Sequence, residues 1–222
     1  MKTRIIFLFV VIIGMILTTN LFGQTPTPAV GDYGSLGTGN WGTTGANWLV
    51  FVSAADWSDA TAALGAPTSS MNVWIRSGHT VTMEASSKVC KNLTIVTGGT
   101  LLTAASGSSI AINGNAQIDG ALGSAAAGPV VQFTVSGTLS GAGTFYFSKL
   151  RPNAADVTIT VDMNISGYTA TSNFINANAK NNFVLTLNAG KTITLPTGGY
   201  ISTASNSSIN DPGAGVNVTY NV

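Results

Sequence analysis

Between Val73 and Val81 the chain reads VWIRSGHTV: apolar, any, apolar, two variable positions, Gly, any, Thr, apolar. The pattern returns as LTIVTGGTL at Leu93–Leu101 and as LTLNAGKTI at Leu185–Ile193. A copy one spacer shorter, FTVSGTL, occupies Phe133–Leu139, and a half-pattern, LPTGGYI, spans Leu195–Ile201. Alternating apolar residues such as Val73 and Ile75 point to one face of a strand. The glycine beyond them permits a bend that a Cβ obstructs, and the next apolar residue opens another short strand. Each copy thus predicts a corner between two strands, with Gly78, Gly98, Gly137 and Gly190 at the bends. The step from Gly78 to Gly98, roughly twenty residues, is the length of one turn of a stacked β-solenoid.

From Met71 onward, short alternating runs bounded by Gly, Asn or Ser follow one another closely, and none reads as a helix. An antiparallel sandwich is the structural alternative, but it has no need of a recurring Gly-x-Thr corner. The segment 31–72 differs in composition. It holds Tyr33, Phe51 and three of the four tryptophans, Trp41, Trp48 and Trp57. Large rings cover an exposed apolar end with much buried area per residue, so this segment is expected to cap the first coil. Within it Trp48, Val50 and Val52 alternate as a strand does, whereas Ala54–Leu64 has Ala-rich helical propensity. The pattern loosens around Tyr168–Asn182 and returns at Val216, Val218 and Tyr220. An uncovered last coil leaves strand edges in water. It is therefore expected to be covered by the tail or to stack on a second copy or another chain.

Residues 1–23 read as a secretory signal peptide: Lys2 and Arg4, an apolar run from Ile5 to Leu17, and cleavage before Gln24. That run is shorter than the roughly twenty residues of a spanning helix, so no membrane span is expected after its removal. Residues 24–30, with Pro26 and Pro28, form an extended leader; 31–72 is the cap, and 73–222 are coils, with truncation at the C-terminus a further expectation. Without Lys2 and Arg4 the chain is nearly neutral, and only 8% of its residues are charged. No basic footprint marks a nucleic-acid partner. Cys90 stands alone, so no intrachain disulfide forms, and it reads as a small buried apolar residue.

Candidate chemistry is sparse. His79 is the single histidine, and the other strict copies carry Gly99 and Lys191 in its place, which predicts an outward, solvent-facing position. The acids Glu84, Asp119, Asp156, Asp162 and Asp211 are scattered singly. Asp156 and Asp162, with Lys149 and Arg151 upstream, share a strand face but lie roughly 20 Å apart at strand rise, too far to flank a glycosidic bond unless the chain turns between them. Asp32, Asn40 and Asn47 have oxygens suited to Ca²⁺, yet turn hydrogen bonds explain them equally. No metal, cofactor or catalytic residue is expected. Thr-x-Thr at Thr80–Thr82, Thr158–Thr160 and Thr192–Thr194 orders water only if the copies align coil above coil. Tyr146, Tyr168 and Tyr200 are the candidates for stacking on sugars.

GDYGS at Gly31–Ser35, GNW at Gly39–Trp41, the later Trp48 and Trp57, and VWIRSGHTVTM at Val73–Met83 together carry a resemblance. The segment resembles the β-helical domains of secreted and surface proteins from Bacteroidota, specifically over the cap and first coils and only generically beyond. The resemblance implies a right-handed parallel β-helix, a secreted or cell-surface location, and an adhesin-like, non-enzymatic role in contact with glycans or another surface protein. Such proteins often carry a C-terminal sorting domain for export to the surface, and the expectation here is a truncated or soluble relative without one. The alternatives are a truncated or degenerate polysaccharide lyase or hydrolase, and a solenoid that orders water or ice.

Overall fold

In a computed structural model, residues 27–42, 47–52, 57–84, 86–104, 108–152, 154, 156–167, 175–176, 184–195, 201–202, 208–210 and 217–220 are described. The chain opens with β1 (Tyr33–Ser35), β2 (Gly39–Asn40), β3 (Trp48–Val50) and β4 (Thr61–Ala62). It then winds through coils of three strands. The first comprises β5 (Val73–Ile75), β6 (Thr80–Met83) and β7 (Lys88–Cys90), and the next β8 (Leu93–Ile95), β9 (Thr100–Thr103) and β10 (Ser109–Ile112). β11 (Ala116–Ile118), β12 (Ala121–Leu122) and β13 (Val130–Phe133) follow, then β14 (Gly137–Ser140), β15 (Thr144–Phe147) and β16 (Lys149–Pro152). The later coils are β17 (Thr158–Asp162), β18 (Ile165–Gly167) and β19 (Ile175–Asn176), then β20 (Val184–Leu187), β21 (Thr192–Leu195) and β22 (Ile201–Ser202). β23 (Ser208–Asn210) and β24 (Asn217–Tyr220) close the series.

Each coil gives one strand to each of three sheets. The sheets have ten, six and eight strands, in the orders β23-β20-β17-β14-β11-β8-β5-β1-β3-β4, β22-β19-β16-β13-β10-β7 and β2-β6-β9-β12-β15-β18-β21-β24. From β5 onward every strand pair is parallel. The fold is an all-β parallel β-helix, and the recurring corner is its cause.

In-register pairing stacks the inward residues into columns. Val73, Leu93, Ala116, Leu139, Val161 and Leu187 form one, each partnered with the next across adjacent strands of the ten-stranded sheet, and all are buried. Cys90 lies in another, aligned with Ile112 and Phe133. Each large inward side chain contributes about 1.5–3 kcal/mol on burial, and its neighbours are the coils on either side. Ionisation of Cys90 is suppressed by burial, which pushes its thiol well above the ordinary range; it packs as a small apolar group.

The three strict copies of the corner share one geometry. The amide of His79 donates to the Arg76 carbonyl at 3.1 Å, Gly99 to Val96 at 2.8 Å, and Lys191 to Asn188 at 3.1 Å. Gly78, Gly98 and Gly190 occupy the third position of these turns with φ of 77°, 81° and 74°. A positive φ there is the mark of a type II turn, which glycine enters without steric cost.

Gly137 is different, and the expectation of an equivalent bend is corrected. It is the first residue of β14, at the passage from the six-stranded to the ten-stranded sheet, and its φ is not positive. It is small because a Cβ there would collide with the Gly114 carbonyl oxygen of the preceding coil. The shortened motif matches a second kind of corner. In its own coil, the bend into the eight-stranded sheet carries Gly141 at φ 132°.

The N-terminal end departs from the parallel rule. β3 runs antiparallel on β1, and β4 antiparallel on β3, which extends the ten-stranded sheet beyond its first coil. Trp48–Val50 is the strand expected from alternation. In the Ala-rich stretch, residues 57–64 hold a turn and β4, with no helix. Tyr33, Trp41 and Trp48 join the buried core. The Trp41 and Trp48 rings meet edge to face at 4.8 Å, and the Trp48 indole N–H donates to the Trp41 carbonyl at 2.9 Å. Trp57 is half-buried elsewhere: it covers Gly34, where a Cβ would lie 2.7 Å from its ring. Phe51 packs 5.2 Å from it, and the Arg76 guanidinium sits 5.5 Å from its ring centre. The leader before Thr27, with the whole of residues 1–23, lies outside the described residues.

Candidate functional site

Outward side chains of the ten-stranded sheet form two polar rows that cross the strands. Trp74, Thr94, Gln117, Ser140 and Asp162 are successive partners in one row. Beside it Thr138, Thr160 and Thr186 stack in register. Neighbouring members of a row are about 4.8 Å apart, the spacing of adjacent strands.

Asn72, Asn92 and Asn115 each precede a strand of this sheet, in the sequences NVWI, NLTI and NAQI. They form a ladder. Asn92 Nδ2 donates to Asn72 Oδ1 at 2.7 Å, the Asn115 amide to Asn92 Oδ1 at 2.7 Å, and the Thr138 amide to Asn115 Oδ1 at 2.9 Å. A carboxamide suits this position because it carries both a donor and an acceptor for the coils on either side. Asp32 terminates the ladder. Its Oδ1 accepts from Asn72 Nδ2 at 2.8 Å, and its Oδ2 accepts from the Ala29 amide at 2.9 Å and from the Trp74 indole N–H at 2.9 Å.

Between ladder and row lies a groove of about 360 Å³, with Thr27 and Ala29 at the end nearest Asp32. The volume falls within the ordinary range of small-ligand sites. Asp32 is its single charged lining residue, and both of its oxygens are engaged. Trp74, only 4% exposed, forms the apolar part of the floor. Gln117 is oriented by donating from Nε2 to Asp119 Oδ2 at 2.8 Å. Among the described residues, no protein partner engages the hydroxyls of Thr94, Thr138 and Ser140 or the Gln117 Oε1. The groove thus offers uncharged donors and acceptors on a wall held rigid by its own amides.

The other sequence candidates lie elsewhere. Tyr146 is half-buried on the outer face of the eight-stranded sheet, paired with Ser166. Tyr168 and Tyr200 lie outside the described residues. Asp156 precedes β17 at a positive φ of 57°, while Asp162 at its end faces Lys191 at 3.6 Å. Lys149 and Arg151 belong to the six-stranded sheet, away from both. Asn47 Nδ2 donates to the Asn40 carbonyl at 2.5 Å, a local tie within the chain's opening segment. Glu84 accepts from the Gly42 amide at 3.0 Å and pairs with Lys88 at 2.8 Å, which ties the segment after β2 to the connection between β6 and β7 of the first coil. Among the described residues no three His, Cys, Asp or Glu side chains gather as a metal site.

His79 is half-buried rather than outward, a correction that Ser35 explains. Ser35 Oγ, fully buried, accepts from the Arg76 amide at 3.0 Å and lies 2.8 Å from His79 Nδ1. The hydroxyl keeps one proton to donate and a second lone pair to accept with, so the His79 tautomer decides which of the two groups donates. Among the described residues no acidic side chain joins this pair, and a fully buried hydroxyl cannot reach a substrate. Burial, then the Arg76 charge, lowers the His79 pKa below its ordinary value, although the Ser35 contact opposes this. A folded value below the unfolded one means that the unfolded chain binds the extra proton first. His79 therefore adds nothing against stability above about pH 6.5, and stability falls as the pH drops through that value toward the folded midpoint. As the single histidine, its imidazole resonances should titrate in an NMR series with a midpoint below about 6.5; a higher midpoint contradicts the geometry.

Compared with protein-family models, curated proteins and solved structures, the chain matches none of them.

Proposed function

We propose that this protein is a secreted or cell-surface, non-enzymatic β-helical module of the adhesion type, and that it contacts glycans. The observation that carries the reading is the groove beside the asparagine ladder, where unengaged hydroxyls and an amide oxygen line a preformed wall. Recognition of sugars rests on such fixed polar groups beside an apolar surface, and preorganisation lowers the ordering cost of binding. The resemblance of residues 31–83 to Bacteroidota surface proteins supports an exterior location and the adhesive role. Avidity along an elongated face would then supply strength that a single weak site lacks.

A water-ordering solenoid has one observation in its favour, the aligned hydroxyls of Thr138, Thr160 and Thr186. On the eight-stranded sheet, however, Thr80 and Thr100 are followed in register by Ala121, and Thr82 by Leu102. The hydroxyl array is interrupted there, which favours the glycan reading. A glycan array probed with the purified protein, beside size-exclusion chromatography of the same sample, tests it. A binding monomer is the expected result. Silence across the array from a self-associating species would overturn glycan contact and favour a structural role with another copy as partner.

A further inference from the structure

We infer that the groove on the ten-stranded sheet selects a neutral, linear polyhydroxylated chain lying across the strands along the coil axis, and that it rejects polyanionic glycans. The inference rests on the proposed glycan contact and deepens it.

Two observations carry it. The first is charge. No Lys or Arg lines the groove, and the carboxylate of Asp32 stands at one end with its oxygens already bonded. Beyond Ser140, the next residue of the row is Asp162, which is paired with Lys191 at 3.6 Å and adds no uncompensated positive charge. A uronate or sulfate laid in the groove would shed its hydration for uncharged hydroxyls beside the Asp32 carboxylate, and a buried charge without a counter-charge is strongly disfavoured. An uncharged hydroxyl has no such cost, since Thr94, Ser140 and Gln117 Oε1 can exchange hydrogen bonds with it.

The second is direction. Thr94, Gln117 and Ser140 repeat from coil to coil, one on each of three successive strands, so this line of donors and acceptors runs perpendicular to the strands at about 4.8 Å per step. A linear chain with a regular array of hydroxyls can follow such a line over several coils. The end at Thr27, Ala29 and Asp32 is closed by the chain itself, whereas the Ser140 end continues onto the sheet. The Asn72–Asn92–Asn115 ladder keeps the wall from collapsing into the groove, because each of its amides is committed to the adjacent coil.

Isothermal titration of the protein with cellohexaose, xylohexaose and a hexameric oligogalacturonate tests this, repeated on Ser140→Trp and Thr138→Trp. Both substitutions put an indole into the groove from half-buried, outward positions, and thermal melts of each variant check the fold. The expected result is heat with at least one neutral hexasaccharide, none with oligogalacturonate, and loss of binding in both variants. Oligogalacturonate binding that either variant abolishes would overturn neutral selectivity while the glycan reading stands. Neutral binding that survives in both variants with unchanged melts would place the contact off this groove and overturn the inference alone. Silence toward all three sugars together with a silent glycan array would remove both the inference and the function it rests on.

Discussion

Trp48→Ala is expected to lower the stability of the protein by about 3–5 kcal/mol, the range for truncating a fully buried tryptophan. Trp48 has no exposed surface. Its ring meets Trp41 at 4.8 Å, and its indole N–H satisfies the buried Trp41 carbonyl. Alanine removes both the ring and that donor, so an unpaired carbonyl adds to the cavity. Relaxation is restricted by position. Trp48 stands on β3, antiparallel to β1, where parallel coils lie on one side only. No further coil can shift into the space. Urea unfolding followed by circular dichroism measures the loss. A change below about 1 kcal/mol would contradict Trp48 as a core residue. Trp57→Ala, at a half-buried site on the outer surface of Gly34, should cost less than Trp48→Ala in the same assay.

Gly98→Val is the second large effect, with an expected loss of about 2–4 kcal/mol from backbone strain and overpacking together. Gly98 has φ of 81°, a region that a β-branched residue scarcely enters. A Cβ at this position would also lie 2.9 Å from Ser77 Oγ of the coil before it. Gly78 and Gly190 separate the two contributions. They share the positive φ, yet a Cβ at either would meet nothing within 4 Å. Gly78→Val and Gly190→Val should therefore cost only the strain, about 1–3 kcal/mol, and less than Gly98→Val. Equal melting temperatures for wild type and Gly98→Val would contradict the type II corner.

The asparagine ladder shows how sequence motif and three-dimensional contact part company. NVWI, NLTI and NAQI stand in the sequence as three copies of one short pattern, less conspicuous than the glycine corners. Even so, the pattern cannot state that Asn92 bonds Asn72, because that contact needs the two coils aligned to within one residue. A slip of a single residue would turn the amide to the other face. Ser35 and His79 make the same point across 44 positions. Nothing local to either residue marks the other as its partner. Gly137 shows the converse: its local pattern requires glycine, but two kinds of corner satisfy that pattern.

By itself the sequence determined the parallel coils, the inward faces of their strands and the bends at Gly78, Gly98 and Gly190. Each of these follows from a rule that acts over a few residues: alternation along a strand, or the freedom of glycine at positive φ. Only the tertiary structure decided which outward side chains meet. The groove, the ladder from Asp32 to Thr138, the placement of Trp57 on Gly34 and the shelter of His79 by Ser35 all depend on the register between coils. That register is set by the packing of the whole interior column, where a residue's neighbours are a full turn of chain away.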